Sequence, residues 1–440
     1  MNHPKTSYTL AFAALLAVGL VGCGKEEVKV EAPKVVVLVA EPSVTVKIGH
    51  AGPLTVKTPH LGKDDENGVA LAVAQANDKK IKIDGKLVKF EMMSEDDQGD
   101  PKIGSTVAQK LIDAKVIAVI GHLNSGVAIP ASEAYEKVGI PMISGSATNP
   151  TLTDRGLKNT FRTVARDDQQ GPAIATYIAS EIKAKKVSLI DDKTAYGEGL
   201  ANEVEKTLKG AKITIVGRER TTDTETDFKS ILTKIKAKNP DVIFHGGMDQ
   251  TAGPMMKQAR ELGIKSIFVF GDGACTEEMF VKAQDAANGL VCSRAGLPLQ
   301  ATSAEFLTSF KAKFGDVKQY APYYFDATNA VIEAIKKADS VDPLKFGPEL
   351  FNVSFTGATG KVEFDAKGDR KDAAITIFKM ADGKLTPVST VMAGVATKFE
   401  MASSSTPAPA TAPAAAPAVA APVTTPAVAP ATKPAEAPKK

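Results

Sequence analysis

Short runs of β-branched and apolar residues alternate with amphipathic stretches from about residue 45 to residue 270. The runs are typical of buried strands, and the stretches between them carry apolar residues at helical spacing. The predicted strands are Thr45–His50, Val88–Met93, Val116–Gly121, Pro141–Ser144, Lys186–Ile190, Ile213–Val216, Asp241–His245 and Ser266–Phe270. The predicted helices are Glu66–Asn77, Pro101–Ile112, Val127–Val138, Gln170–Ile182, Gly199–Leu208, Phe228–Ile235 and Ala252–Leu262.

This alternation predicts right-handed βαβ units, and therefore an α/β fold of doubly wound parallel sheets flanked by helices. Two series of such units meet near Phe161–Asp168, so we expect two lobes. In open sheets of this kind, ligands bind beyond the carboxyl ends of the strands. The loops that follow the predicted strands are therefore the first place to search for a site.

The two ends of the chain differ in composition from the lobes. Residues 1–22 combine Lys5, an apolar run and small residues before Cys23, which is the pattern of a lipoprotein signal peptide. The alternative is a plain signal peptide beside a chance cysteine. Lipid on Cys23 would tether the mature protein to a membrane on the periplasmic side through residues 23–44, without indicating which membrane. The Ala/Pro-rich residues 402–440 predict a disordered tail that acts as a spacer or contacts the cell wall or a partner.

Composition argues against several function classes. The net charge is +3 without a dense basic run, so we expect no nucleic-acid partner. The five histidines lack metal-ligand spacing, and Gly197-Glu198-Gly199 lacks the third glycine of a dinucleotide loop, so we predict no metal, cofactor or catalytic residue. Apart from Cys23, the chain has two cysteines, Cys275 and Cys292. An oxidising compartment favours a disulfide between these two, and the alternative is two buried free thiols.

Polar groups follow several predicted strands in both lobes. Ser125, in Asn124-Ser125-Gly126, stands where a helix begins and can help to bind a carboxylate, and Ser146 and Thr148 offer similar groups on the next loop. Asp272, between glycines after an apolar strand, can pair with an ammonium. The alternatives are that Ser125 and Thr148 are helix caps and that Asp272 is a turn residue. Their joint position favours a site for a zwitterion.

A series of motifs supports this interpretation. The motifs lie between about Val46 and about Met380. The motifs are Val119-Ile120-Gly121-His122-Leu123, Pro130-Ala131-Ser132-Glu133, Gly139-Ile140-Pro141-Met142-Ile143-Ser144, Phe161-Arg162-Thr163, Asp168-Gln169-Gln170-Gly171-Pro172, Ala195-Tyr196-Gly197-Glu198-Gly199 and Gly246-Gly247. Together they resemble the leucine/isoleucine/valine-binding proteins. The resemblance implies a type I periplasmic binding protein with a three-strand hinge. It divides the chain into a first lobe of residues 45–165 and 295–372 and a second of residues 166–294 and 373–401.

The resemblance also implies a function and a binding site. The protein would be a monomeric, non-enzymatic receptor that delivers aliphatic amino acids to an ABC permease. Ser125 and Thr148 would bind the α-carboxylate with backbone groups of Leu123 and Ser146. Asp272 would bind the α-ammonium. Tyr196 would close over the ligand from the second lobe.

The chain departs from the family pattern at four positions. Gly99 and Asn124 stand where some members carry a cysteine pair, and Leu61 and Met248 stand where some have tyrosine. The last two changes alter the pocket for the ligand side chain, so the preferred aliphatic amino acid is not fixed by the resemblance. Alternative functions are a sensor subunit for a signalling receptor, binding of another small amino acid or amide, an envelope amidohydrolase using Ser125 with His122, and a structural lipoprotein.

Overall fold

The computed structural model describes residues 41–392 and 395–399. The signal peptide, the lipidation residue Cys23, most of the tether and the tail at 402–440 lie outside the described residues. The predictions for these segments therefore remain predictions. No helix in the described ranges combines the length and the apolar character needed to cross a bilayer.

The first lobe contains the four predicted strands, of which the first two are longer than predicted at both ends and the other two begin one or two residues later, together with two short strands that were not predicted. Its strands are β1 (Ser43–Gly52), β2 (Lys82–Ile83), β3 (Lys86–Asp96), β4 (Ala118–Gly121), β5 (Met142–Ser144) and β6 (Thr160–Arg162). Its helices here are α1 (Pro59–Asp78), α2 (Pro101–Asp113), α3 (Ser125–Lys137) and α4 (Thr151–Asp154). In the described chain these strands form one sheet in the order β2-β3-β1-β4-β5-β6, parallel apart from the β2–β3 hairpin.

The second lobe repeats the pattern. Its strands are β7 (Lys186–Asp191), β8 (Thr214–Arg220), β9 (Val242–Gly246), β10 (Ile267–Phe270) and β11 (Val291–Arg294). Its helices are α5 (Asp167–Tyr177), α6 (Ala195–Gly210), α7 (Lys229–Lys238), α8 (Asp249–Glu261) and α9 (Glu278–Ala283), and a π-helical turn over Ile178–Ile182 continues α5. The neighbouring strands β8-β7-β9-β10-β11 are parallel, as predicted.

The chain then returns to the first lobe before it ends in the second. The returning segment forms α10 (Ala304–Phe314), α11 (Ala321–Ala338), α12 (Pro343–Phe346), β12 (Phe355–Gly357) and β13 (Gly360–Val362). The last strands are β14 (Ile375–Ala381), β15 (Lys384–Met392) and β16 (Val395–Lys398). They extend the second sheet to the order β16-β15-β14-β11-β10-β9-β7-β8 and are antiparallel to their neighbours. The second sheet is thus mixed, because its last three strands are joined by hairpins and not by helical crossovers.

The three passages between the lobes lie side by side and form the hinge. The first passage follows β6, the second follows β11 and the third precedes β14. Ala165 N donates to Ala295 O at 3.2 Å, which joins the first passage to the second. Arg162, fully buried, pairs through Nε with Asp369 Oδ1 at 2.5 Å and donates to the carbonyls of Ala147 and Asn149 at 3.0 Å. This buried cation therefore fixes the loop after β5 against the third passage.

The predicted disulfide between Cys275 and Cys292 is confirmed. The two Cα atoms are 5.3 Å apart, and both residues are fully buried in the hydrophobic core of the second lobe. The bond joins the turn after β10 to strand β11, and β10 and β11 are neighbours in the sheet. It therefore anchors the turn that begins with Asp272.

Candidate ligand-binding site

Loops at the carboxyl ends of strands in both lobes surround a narrow cavity of about 10 Å³. Most of the residues predicted to bind ligand meet there, although their positions in the sequence are far apart. The lining residues are Leu123, Asn124, Ser125, Ser146, Tyr196, Met248, Asp272, Gly273 and Tyr320. The fold therefore brings the first-lobe hydroxyl groups and the second-lobe carboxylate to one place.

Ser125 occupies the first turn of α3 at the floor of the cavity. The residue before the helix, Asn124, makes no side-chain hydrogen bond to the helix N-terminus, and Ser125 itself lies inside the helix. Its hydroxyl accepts a long bond of 3.3 Å from Asn149 N. The reading of Ser125 as a helix cap is therefore wrong. The uncapped helix start offers backbone N–H groups and partial positive charge to an anion.

Thr148 is fully buried on the loop after β5, and no helix begins at it, since α4 starts at Thr151 behind Pro150. Its Oγ1 has no hydrogen-bond partner among the described residues. Burial, with the charge of Asp272, raises the pKa of the nearby Asp167 carboxyl well above its usual range, and the Thr148 hydroxyl offsets this only in part. Both Asp167 oxygens also lack a hydrogen-bond partner among the described residues. Thr148 is not among the residues that line the cavity. An unpartnered buried hydroxyl here is a group to be satisfied by a ligand or a water molecule.

Ser146 and Leu123 are tied to each other. Ser146 Oγ lies 3.0 Å from Leu123 O, to which it donates, and 2.9 Å from Tyr324 Oη. The side chain of Ser146 thus holds the loop after β4 in place. These two residues can therefore offer only backbone groups to a ligand, which is what the family resemblance implies.

Asp272 is the second-lobe centre of the site, and its carboxylate is held by three neutral donors. Oδ1 accepts from Gln170 Nε2 at 2.7 Å and from Tyr196 Oη at 2.8 Å, and Oδ2 accepts from Tyr320 Oη at 2.6 Å. No cationic side chain in the described ranges forms an ion pair with it. Burial raises the pKa of Asp272, while the bonds from Tyr320 and Tyr196 lower it. The carboxylate is oriented but not neutralised.

From the sequence, Tyr320 can equally line the cleft or be a packing or rim residue, whereas Gln170 was not predicted to contact a ligand. Gln170 lies within one of the quoted motifs, so the family resemblance pointed to its position but not to a contact made by its side chain. Tyr320 precedes α11 on the first lobe and reaches across to Asp272. Neither contact is visible from local pattern, because the partners are separated by 102 and 48 positions.

The two residues that replace tyrosine have different surroundings. Met248 precedes α8 and lines the cavity. Leu61, in the first turn of α1, is fully buried in the main hydrophobic core and does not line this cavity. The role of Leu61 toward a ligand therefore remains a prediction.

Further contacts hold the lobes together around the cavity. Lys57 Nζ lies 2.8 Å from Asp223 Oδ2, and His60 Nε2 lies 2.8 Å from Asp249 Oδ2. Each pair joins the loop after β1, or the start of α1, to the second lobe. The described structure is thus a conformation with a closed cleft.

The hydrolase alternative needs a base beside Ser125, and His122 is engaged elsewhere. Its Nδ1 lies 2.7 Å from Asp97 Oδ2, and its Nε2 lies 3.1 Å from Tyr135 Oη. Both ring nitrogens are therefore occupied in a fully buried network. The described residues also contain no cluster of His, Cys, Asp or Glu suited to a metal ion.

Gly99 and Asn124 are neighbours in space, as a replaced cysteine pair would be. A Cβ atom placed on Gly99 would lie 3.0 Å from Asn124 Oδ1. The two loops that some members of the resembled family join covalently are thus adjacent here. In this chain the same place holds an amide beside a glycine.

Comparison with known proteins agrees with this geometry. A family profile described as "Periplasmic binding protein" matches residues 45–384. Leu/Ile/Val-binding protein homolog 1 of Brucella abortus (strain 2308) is 36% identical over 346 residues, which cover 77% of this chain and 92% of that protein. The leucine-, isoleucine-, valine-, threonine- and alanine-binding protein of Pseudomonas aeruginosa is 32% identical over 337 residues, covering 76% and 90%.

A solved structure matches over a similar span. The branched-chain amino acid transporter substrate-binding protein LivJ of Streptococcus pneumoniae, in complex with isoleucine, superposes with a TM-score of 0.71 at 29% identity. The match covers 81% of this chain and 99% of LivJ. The predicted type I fold with two lobes is confirmed. From the profile match, the relatives and the shared fold, the chain belongs to the periplasmic binding protein family.

Proposed function

We propose that this protein is a receptor that captures a branched-chain amino acid between its two lobes and delivers it to an ABC permease. The observation that carries the proposal is Asp272, a buried carboxylate in the cleft that three neutral donors hold and no cation of the described chain neutralises. A buried charge is costly unless it is paired. A ligand ammonium supplies the missing partner.

The opposite wall suits the other end of an α-amino acid. Ser125 in that wall opens a helix without a side-chain cap. Thr148 does not line the cavity in this structure, but its buried hydroxyl has no partner among the described residues. An α-carboxylate would bind to these hydroxyls and to the helix N-terminus, with backbone groups of Leu123 and Ser146. Asp272 on the other lobe would bind the α-ammonium. A zwitterion thus joins both lobes and favours the closed state.

The remaining contacts favour an apolar side chain. Tyr196 and Met248 line the cavity between the two polar ends, and Leu61 replaces a larger aromatic residue of the family pattern. A thioether adapts to irregular apolar shapes, which suits several aliphatic side chains. The names of the two curated relatives and the isoleucine bound to LivJ support the same class of ligand.

The remaining parts of the proposal follow from the sequence. A lipid on Cys23 would hold the receptor at the periplasmic face of a membrane, where a permease can meet it. The Ala/Pro-rich residues 402–440 would act as a spacer. No enzyme activity is proposed, since His122 is occupied by Asp97 and Tyr135.

Isothermal titration calorimetry tests the ligand class directly. Purified mature protein is titrated with leucine, isoleucine and valine, and in parallel with aspartate, lysine and a hexose. The proposal expects saturable heat with at least one of the first three and none at comparable concentrations with the last three. Heat with the sugar alone, or with lysine alone, would reject it.

A further inference from the structure

A second cavity adjoins the ligand site, and three residues, Asn124, Tyr196 and Met248, line both. This space, here called the side chamber, has a volume of about 330 Å³. It is far larger than a leucine side chain requires. An amino acid bound by its charged ends in the smaller cavity therefore has a chamber into which its side chain can extend.

The walls of the side chamber carry hydrogen-bond acceptors that the protein leaves unused. Gln250 Nε2 donates to Asp223 O at 2.8 Å, which fixes the orientation of the amide because a carbonyl oxygen can only accept. Gln250 Oε1 is consequently a buried acceptor, and it has no partner among the described residues. Asn124 Oδ1, on the opposite lobe, is buried and unpartnered in the same way.

The same walls also supply cations. Lys57 Nζ donates to Gly99 O and to Asp223 Oδ2, both at 2.8 Å, and an ammonium has three N–H groups. Lys193 is exposed at the chamber, and its ammonium makes no ion pair with any described residue. The chamber thus contains two amide oxygens that lack a hydrogen-bond donor and, near them, lysine ammonium groups that can donate to a further acceptor.

We propose that the side chamber recognises a carboxamide at the end of the ligand side chain, so that the receptor also binds glutamine-type amino acids. The carboxamide NH₂ donates to Gln250 Oε1 and Asn124 Oδ1, and its carbonyl accepts from a lysine ammonium. An aliphatic side chain leaves the acceptors unpaired, and a carboxylate places acceptor against acceptor. The inference rests on the proposed binding of an α-amino acid and defines more closely which side chains the site accepts.

Calorimetry with glutamine, leucine and glutamate provides the test. We expect glutamine to bind wild-type protein at least as tightly as leucine, and glutamate to bind at least about tenfold more weakly. Gln250→Leu removes one acceptor and is expected to weaken glutamine binding about tenfold, with leucine binding unchanged. Gln109→Leu, on an exposed face of α2 where the amide contacts Asp113, is the matched control and should change neither affinity.

Lys193→Met provides a second variant at an exposed position, in case Gln250→Leu does not fold. It is also expected to weaken glutamine selectively. If leucine binds and glutamine does not, the carboxamide inference is wrong and the receptor function stands. If the variants weaken both ligands equally, the chamber does not discriminate and the inference is again overturned. If no amino acid binds wild-type protein, the receptor function itself fails.

Discussion

Replacing Asp272 by asparagine removes one charge from the site and preserves its shape. The amide oxygen can still accept from Gln170 or Tyr196, and the Tyr320 hydroxyl can accept from the new NH₂ group instead of donating. The fold should therefore persist. What is lost is the negative charge that is proposed to pair with a ligand ammonium.

The size of the effect follows from the burial of Asp272, of which about 1% is exposed. Losing one member of a desolvated charge pair typically costs about 2–5 kcal/mol. This corresponds to an affinity for leucine lower by a factor of about 30 to about 5,000. Calorimetry at neutral pH measures the change, and Asp285→Asn on the exposed surface of the second lobe is the control.

The stability of the ligand-free protein should move in the opposite direction. Burial raises the pKa of Asp272, so the folded state binds the proton more tightly than the unfolded state does. Its contribution to the free energy of unfolding therefore falls as the pH rises from the ordinary carboxyl range through the raised pKa. At neutral pH Asp272→Asn should raise the melting temperature while it abolishes tight binding. Wild-type affinity in this variant, with the control unchanged, would refute the assignment of Asp272 to the ammonium.

Four further outcomes are expected. Burial raises the pKa of Asp192 to about 6, so Asp192→Asn should stabilise the fold at pH 8 by roughly 3 kcal/mol, and denaturant unfolding should show the gain vanishing below pH 4. Replacing both Cys275 and Cys292 by serine opens a link of 17 positions and should lower the unfolding free energy by about 3 kcal/mol. Lys57→Met breaks the half-buried ion pair with Asp223 between the lobes. The closed state should lose ~1 kcal/mol of stability, so stopped flow should show ligand release about fivefold faster. Cys23→Ala should bind ligand normally but leave the membrane fraction, and sedimentation with membranes would contradict lipid anchoring.

The sequence predicted the parallel part of the fold because each buried strand there is followed by an amphipathic helix. It placed the start of α1 at Glu66, whereas the helix begins at Pro59. The first turns of the helix contain Asp64 and Asp65, which are buried although acidic residues are usually exposed. Asp64 accepts backbone N–H groups of Lys318, Gln319 and Ala321 at 2.8 to 2.9 Å, and no local pattern reveals partners so distant along the chain.

The same reasoning applies to the site. Ser125, Thr148 and Asp272 were predicted because each follows a strand at the edge where ligands bind, and of the three the structure brings Ser125 and Asp272 to one cavity. The return of the chain after residue 295 was not detectable from periodicity, and it is this return that brings Tyr320 and α11 to the cleft. Residues supplied by a long crossing are therefore the ones that sequence pattern misses.

In the proposed function, Asp272 links the charge of the ligand to lobe closure. Two of its donors, Gln170 and Tyr196, belong to its own lobe, whereas the Tyr320 hydroxyl comes from the other, and Gln319 Nε2 donates to the Asp272 carbonyl at 3.0 Å. Closure completes this set of donors but also removes the carboxylate from water, and neutral donors alone do not compensate fully for that loss. An ammonium does. If an amino acid binds as proposed, the closed state is more stable with the ligand than without it, and binding should shift the population of the lobes toward closure.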